Sequence, residues 1–217
     1  MDTVAMTDAE QRPLARLLAA MREIFMDTQP SPEVEEDLTD ILTVTAALPP
    51  LQAQTLQVWA PDPTSRAALA HLPPPGEGRL GDICALTRDA APLMPWHYSY
   101  GAEDGLAERI AFADLVGPTG PYVTDRLRLG LTLVAAHTLY KMHAHPAREL
   151  YFVVSGRAGW TAGASKQWPE PGAFVLHPPN IPHAMQTEGE SLLAIYSWRG
   201  DIYTPPFYTD PALSPYP

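Results

Sequence analysis

The sequence predicts a mainly β fold: a small antiparallel sandwich or barrel carried behind an α-helical N-terminal extension. Three observations point there. Apolar residues recur at helical spacing through the first 71 residues, between proline breaks. Beyond Pro73-Pro74-Pro75-Gly76, short runs rich in β-branched and aromatic residues alternate with Gly and Pro turns. The length, 217 residues, suits one domain, or one domain with a helical extension.

The elements read in order as follows. Residues 8–28 form an amphipathic helix, with Leu14, Leu17, Leu18, Met21, Ile24 and Phe25 on one face. A second helix starts at Ser31 as N-cap, with Pro32 at its first position and Glu33, Glu35 and Glu36 in its first turn, and stops before Pro49-Pro50. A third lies within 51–71. Strands are expected at 93–99, 108–116, 127–139, 149–155, 157–161, 173–177 and 191–198. The tail from Tyr203 to Pro217, rich in Pro and Tyr, is expected to wrap over the barrel without regular structure. The chain therefore divides into a helical N-terminal part, 1–75, and a β-barrel, 76–217.

Composition narrows the function classes. The net charge of −11 disfavours a phosphate backbone as partner, and no Lys/Arg run offsets it, so no nucleic acid is expected. No stretch approaches the roughly 20 apolar residues of a membrane span. The start, MDTVAMTDAEQ, lacks the basic and apolar regions of a signal peptide, so the cytoplasm is the expected compartment. Cys84, the single cysteine, leaves no internal disulfide and no thiolate cluster.

The chemistry gathers in His143-Ala144-His145-Pro146-Ala147-Arg148-Glu149. Two histidines separated by one residue share a face on an extended chain, and a turn through Pro146 can return Glu149 to them. Imidazole with carboxylate suits a divalent transition metal: zinc or iron first, manganese or nickel as well. His183, after a turn-rich stretch, is the natural fourth ligand. The spacing of His143, His145, Glu149 and Gly156 fits the first cupin motif, and Gly172, Pro178 and His183 fit the second. Two departures stand out: His137 occupies the first motif's opening Gly position, and Asn180 replaces a Gly in the second. Asn tolerates left-handed backbone well. Thr187 replaces the second motif's closing Asn. The resemblance implies a cupin jelly-roll barrel with the metal inside it.

A narrower resemblance rests on HTLYKMHAHPARELYFVVSGRAGW (137–160), HPPNIPHAMQT (177–187) and LLAIYSWRGD (192–201). These segments are similar to the cupin-type dimethylsulfoniopropionate lyases, the DddQ-like group, over about residues 90–200. The resemblance implies β-elimination of dimethyl sulfide from dimethylsulfoniopropionate, leaving acrylate. The metal would bind the substrate carboxylate, and Tyr151, two residues after Glu149 on an extended strand, would be the base. Tyr140 and Trp198 match the family's substrate-pocket positions. Trp160 and Tyr196 are further candidates for an aromatic cage around the sulfonium, against an ordinary role in core packing. A homodimer, paired through barrel edges or exchanged N-terminal segments, is among the states expected of a cupin. Two other readings remain: another small-molecule cupin enzyme, an oxygenase or isomerase, and a non-catalytic metal-binding cupin sensor. His137 and His177 either support the metal ligands from behind or are structural. His71 and His97 read as surface or structural, and Arg148 and Lys141 as solvated charges.

Overall fold

The computed structural model describes residues 8–51, 68–100 and 105–209. Two helices, α1 (Asp8–Met26) and α2 (Pro32–Ala46), occupy the stretches whose apolar spacing predicts them. Ser31 is extended and its carbonyl accepts the Val34 and Glu35 amides, although its hydroxyl makes no capping bond. The helix expected within 51–71 falls almost wholly outside the described residues. A helix that the sequence pattern does not announce, α3 (Gly78–Ala90), follows the proline run and passes into a short 3-10 turn, Ala91–Leu93. Gly78 and Gly81 lower its intrinsic propensity and so disguise it. A side chain at Gly81 would overlap the Gly76 carbonyl, so this close return of the chain requires glycine. Among the described residues no helix is long and apolar enough to cross a membrane.

The strands are β1 (Ile110–Val116), β2 (Arg128–Val134), β3 (Leu139–Ala144), β4 (Arg148–Ser155), β5 (Ala158–Ala162), β6 (Ser165–Gln167), β7 (Phe174–His177), β8 (His183–Thr187), β9 (Leu192–Arg199) and β10 (Phe207–Tyr208). They form two five-stranded antiparallel sheets, ordered β1-β2-β9-β4-β7 and β10-β3-β8-β5-β6. The architecture is the cupin jelly roll with an N-terminal helical region. Details differ from the sequence reading. The run 93–99 forms no strand and contributes only a bridge between His97 and Phe112. The run 127–139 breaks after Val134, because His137 takes a left-handed conformation (φ 54°) that turns the chain before β3. The tail carries a short strand, β10, which pairs with β3 beside His143 and Ala144.

The first sheet is buried on both faces, which explains why β1 has no exposed residue. Its outer face presents Leu129, Leu131, Leu133, Leu150, Phe152, Val154 and Ile195 to Leu14, Leu17, Met21 and Phe25 of α1 and to Leu38 and Ile41 of α2. Its inner face presents Ile110, Phe112, Val134, Tyr151, Val153, Ala194 and Tyr196 to Tyr140, Trp160 and Met185 of the second sheet. The alternation within each strand follows the two-residue period of a pleated chain. The helices therefore cover the back of the sheet whose front carries the site.

Phe152 fixes this seam, with its ring edge-on to Phe25 (centroids 5.7 Å) and 4.9 Å from Phe174. Phe152→Ala is expected to cost roughly 3–5 kcal/mol. It should lower the denaturant midpoint while leaving the slope of a single transition unchanged.

Candidate metal centre and active site

Motif positions that favour glycine shape the loops around the site. Gly156 (φ 79°) and Gly172 (φ 92°) adopt left-handed backbone, and so do the two departures, His137 (φ 54°) and Asn180 (φ 61°). The backbone requirement is kept where the residue type is not, and Asn and His are among the side chains that tolerate it. A side chain at Gly156 would overlap the Ser191 carbonyl. The Asn180 amide donates to the His145 carbonyl (2.8 Å), tying the loop before His183 to the loop after His143.

These loops bring the predicted ligands together. His143, His145, Glu149 and His183 are all buried. The ligand-capable nitrogens of His143, His145 and His183 lie within 4.8 Å of one another. Each of these imidazoles contacts a backbone carbonyl through Nδ1: His143 with Lys141 (2.7 Å), His145 with Ala147 (3.0 Å) and His183 with Ile181 (2.8 Å). That fixes the tautomer with the proton on Nδ1 and leaves each Nε2 lone pair for an ion. His183 Nε2 is buried without a hydrogen bond, 3.2 Å from Glu149 Oε2. A buried lone pair aimed at a carboxylate is the arrangement that a shared cation resolves. The donor set therefore fits a divalent ion.

Glu149 is held at both oxygens. Trp198 Nε1 donates to Oε1 at 2.7 Å, while His145 Nε2 and His177 Nδ1 approach Oε2 at 3.0 and 3.4 Å. Burial pushes its carboxyl up, but His145 beside it, and then the close approach of His177 and His183, outweigh this and hold it well below the usual range. His143 moves down from the ordinary histidine value, through burial and then the neighbouring His183. His177 is also lowered, through burial. It belongs to a second cluster with Glu149 and His183, and stacks on His183 with centroids 4.0 Å apart.

A cavity of about 230 Å³ opens from these residues, walled by Phe112, Tyr140, Tyr151, Tyr196 and Trp198. Among the described residues that line it, Glu149 is the sole carboxylate. Tyr151 is buried on the inner face with Glu149, as their two-residue separation predicts. Burial, and then the Glu149 charge, push its phenol well above the usual value. Tyr140 lies three residues before His143, a spacing that a regular strand would place on opposite faces. A bulge between Tyr140 and His143 in the β3–β8 ladder returns both to the inside, their rings stacked at 4.0 Å. Tyr140 shares a hydrogen bond with Tyr100 (2.8 Å).

The structure places two of the other sequence candidates differently. Trp160 does not line the cavity; its indole packs behind Tyr151, centroids 4.8 Å apart, in the inner core. Its large apolar body fills the space between the sheets, which is the packing alternative. Tyr196 lines the cavity with its ring, but its hydroxyl donates to Asp114. His137 is exposed. Arg148 turns to the helical side, where it pairs with Asp37 (3.0 Å). His97, read from the sequence as surface or structural, lines the cavity, and several other lining residues had no sequence signal: Thr132 and Arg128 from β2, Ser99 from the loop before β1, and Tyr203, Thr204, Pro205 and Pro206 from the tail. The tail's proline and tyrosine content indicated a wrapping segment but not its place at this cavity. Asp114, fully buried, accepts from Thr119 (2.6 Å) and Arg128 (3.0 Å), holding Arg128 at the cavity wall.

Residues 49–194 match the family model described as dimethylsulfoniopropionate lyase. Among curated relatives, the chain is 34% identical over 126 residues to the dimethylsulfoniopropionate lyase DddQ of Ruegeria pomeroyi, covering 56% of this chain and 63% of that protein. It is 31% identical over 129 residues to the putative dimethylsulfoniopropionate lyase DddL of Cereibacter sphaeroides, covering 57% and 54%. The chain thus spans less than two thirds of each of these curated relatives. The crystal structure of the Ruegeria pomeroyi DddQ superimposes with a TM-score of 0.75 at 27% identity, over 94% of this chain and 98% of that one.

The depressed histidines set a pH dependence for the metal-free protein. A histidine held below its unfolded value of about 6.5 contributes stability above that value and loses it as pH falls towards the folded value. Burial of His143 and His177 should therefore make the apoprotein less stable at pH 5.5 than at pH 7.5, by chemical denaturation. Glu149 titrates in a lower window and does not contribute to that difference. The ligand geometry also predicts that His145→Ala or His183→Ala, purified and assayed by elemental analysis, retains far less metal than the parent chain.

Proposed function

We infer the reaction from one premise: this chain belongs to the dimethylsulfoniopropionate lyase family. The proposed activity is cleavage of dimethylsulfoniopropionate to dimethyl sulfide and acrylate by β-elimination. The observation that carries it is Tyr151, buried on the same inner face as Glu149 in a cavity that Phe112, Tyr140, Tyr196 and Trp198 also line.

His143, His145, Glu149 and His183 would hold one divalent ion, for which zinc or iron is the best match to the donors and manganese or nickel is compatible. When bound, the ion supplies a Lewis acid for the substrate carboxylate and reverses the sign of the charge facing the Tyr151 phenol. The remaining work falls to side chains. Trp198 and His177 hold the Glu149 carboxylate in one orientation. Tyr140, Trp198 and the Tyr196 ring offer π faces to the sulfonium, which carries its positive charge into the cavity that holds the Glu149 carboxylate. As the phenolate, its own proton released to solvent beforehand, Tyr151 Oη would take the proton from the carbon next to the carboxylate. That C–H electron pair becomes the new carbon–carbon double bond. The carbon–sulfur pair leaves on sulfur, so dimethyl sulfide departs neutral and needs no acid. The walls of the cavity limit water at the reacting carbons.

Purified protein incubated with dimethylsulfoniopropionate, with and without chelator and added metals, should release dimethyl sulfide into the headspace in a metal-dependent way. Absence of release with every metal tried would reject this substrate and favour another cupin reaction, of which an oxygenase would reveal itself by consuming oxygen. Tyr151→Phe keeps the bulk and removes the proton acceptor. It should bind metal as the parent does and lose on the order of 10²–10⁴ in turnover; parental turnover would reject Tyr151 as the base.

A further inference from the structure

Arg148 and Arg199 face each other directly across the β4–β9 ladder. Like charges opposite one another in a sheet destabilise the pairing. The next pair inward in the same register is Glu149 with Trp198, joined by the 2.7 Å indole–carboxylate hydrogen bond. Whatever holds the arginine pair together therefore also holds the end of the ladder that carries Glu149.

That holding group is Asp37 of α2. Its side chain is 2% exposed. Arg148 Nε donates to both oxygens, at 3.1 and 3.0 Å, and Arg199 Nε lies 2.8 Å from Oδ1 as an ion pair without hydrogen-bond alignment. One buried carboxylate is thus shared by two opposed guanidinium groups. Its neighbours on the same helix face extend the clamp. The Glu33 carbonyl accepts from Arg148 Nη2 (2.9 Å), Asp40 pairs with Arg199 Nη1, and Glu36 lies 3.6 Å from Arg199 Nη2. Positions 33, 36, 37 and 40 share one side of a helix by its three-to-four residue spacing.

We propose that Asp37 is a positioning residue of the metal centre: by neutralising Arg148 and Arg199 it keeps β4 and β9 paired where Glu149 and Trp198 meet. Helix α2 thereby acts on the site from the far side of the sheet, through strand ends rather than by contact with substrate. The inference rests on the reading of Glu149 as a metal ligand. Groups that orient ligands from behind typically change metal affinity by 10–100-fold when lost.

The test is zinc affinity, by competition with a chromogenic chelator, beside the thermal midpoint of each variant. Asp37→Asn should weaken zinc binding by about tenfold or more, because the carboxylate between the two guanidinium groups is then gone: Arg148 loses its ion pair and Arg199 keeps only Asp40 and Glu36. Asp37→Glu, which keeps the charge, should recover most of the affinity. So should Asp37→Asn combined with Arg148→Gln, which removes the repulsion. Asp40→Asn removes one carboxylate from Arg199 but leaves Asp37 between the two arginines, and should weaken zinc binding less than Asp37→Asn does. A folded Asp37→Asn protein with parental zinc affinity overturns the proposal, whatever its thermal midpoint. Where Asp37→Asn does not fold, the double variant with Arg148→Gln carries the test. It removes the repulsion together with the counter-charge, so a folded double variant that has lost zinc affinity overturns the proposal there as well. Absence of zinc binding by the parent chain would overturn the metal reading itself, and with it this inference.

Discussion

A charged carboxylate inside a β-barrel is the constraint around which this molecule is arranged. Glu149 is buried with its charge, and an unpaired ion there would cost several kcal/mol. The chain answers with an indole N–H on one oxygen and imidazoles around the other. The imidazoles of His143, His145 and His183 contact backbone carbonyls through Nδ1, so their remaining nitrogens converge rather than scatter. The proposed cation completes this network by meeting the buried lone pairs and the negative charge together.

The same constraint explains why the sheet needs a covered back. Strands β4 and β9 carry Glu149, Tyr151, Tyr196 and Trp198 on one face, and their alternate residues must be buried as well if the face is to stay rigid. Helices α1 and α2 supply that cover through Leu14, Leu17, Met21, Leu38 and Ile41. The helical extension is thus part of the core that positions the cavity. Charges placed on the outer face, Arg148 and Arg199, are met by acidic residues of α2 rather than by water alone.

Much of the candidate site was legible because its signals are local. The short separations of His143, His145 and Glu149 fix their faces once the chain is extended, and the turn residues around Pro178 announce a loop returning to the barrel. The substitution of His137 and Asn180 at glycine positions did not obscure this, since both retain the left-handed backbone. Other features gave no local signal. Helix α3 contains two glycines and weak periodicity, and the short strands β6, β8 and β10 exist because neighbours are present to pair with them. Trp160 could not be assigned to cavity or core from position, since an inward-facing indole satisfies both descriptions until the depth of the barrel is known.

The amino-acid sequence by itself determined the mainly β class, the helical extension, the grouping of ligand-type residues and the shared face of Glu149 and Tyr151, because each follows from spacing along a chain of known periodicity. Tertiary structure decided what depends on partners remote in sequence. The β3 bulge set Tyr140 beside His143, the cross-strand register set Trp198 on Glu149, and the docking of α2 set Asp37 between two opposed arginines. Those distances are fixed by hydrogen-bonded ladders and buried charges that form only when distant segments meet.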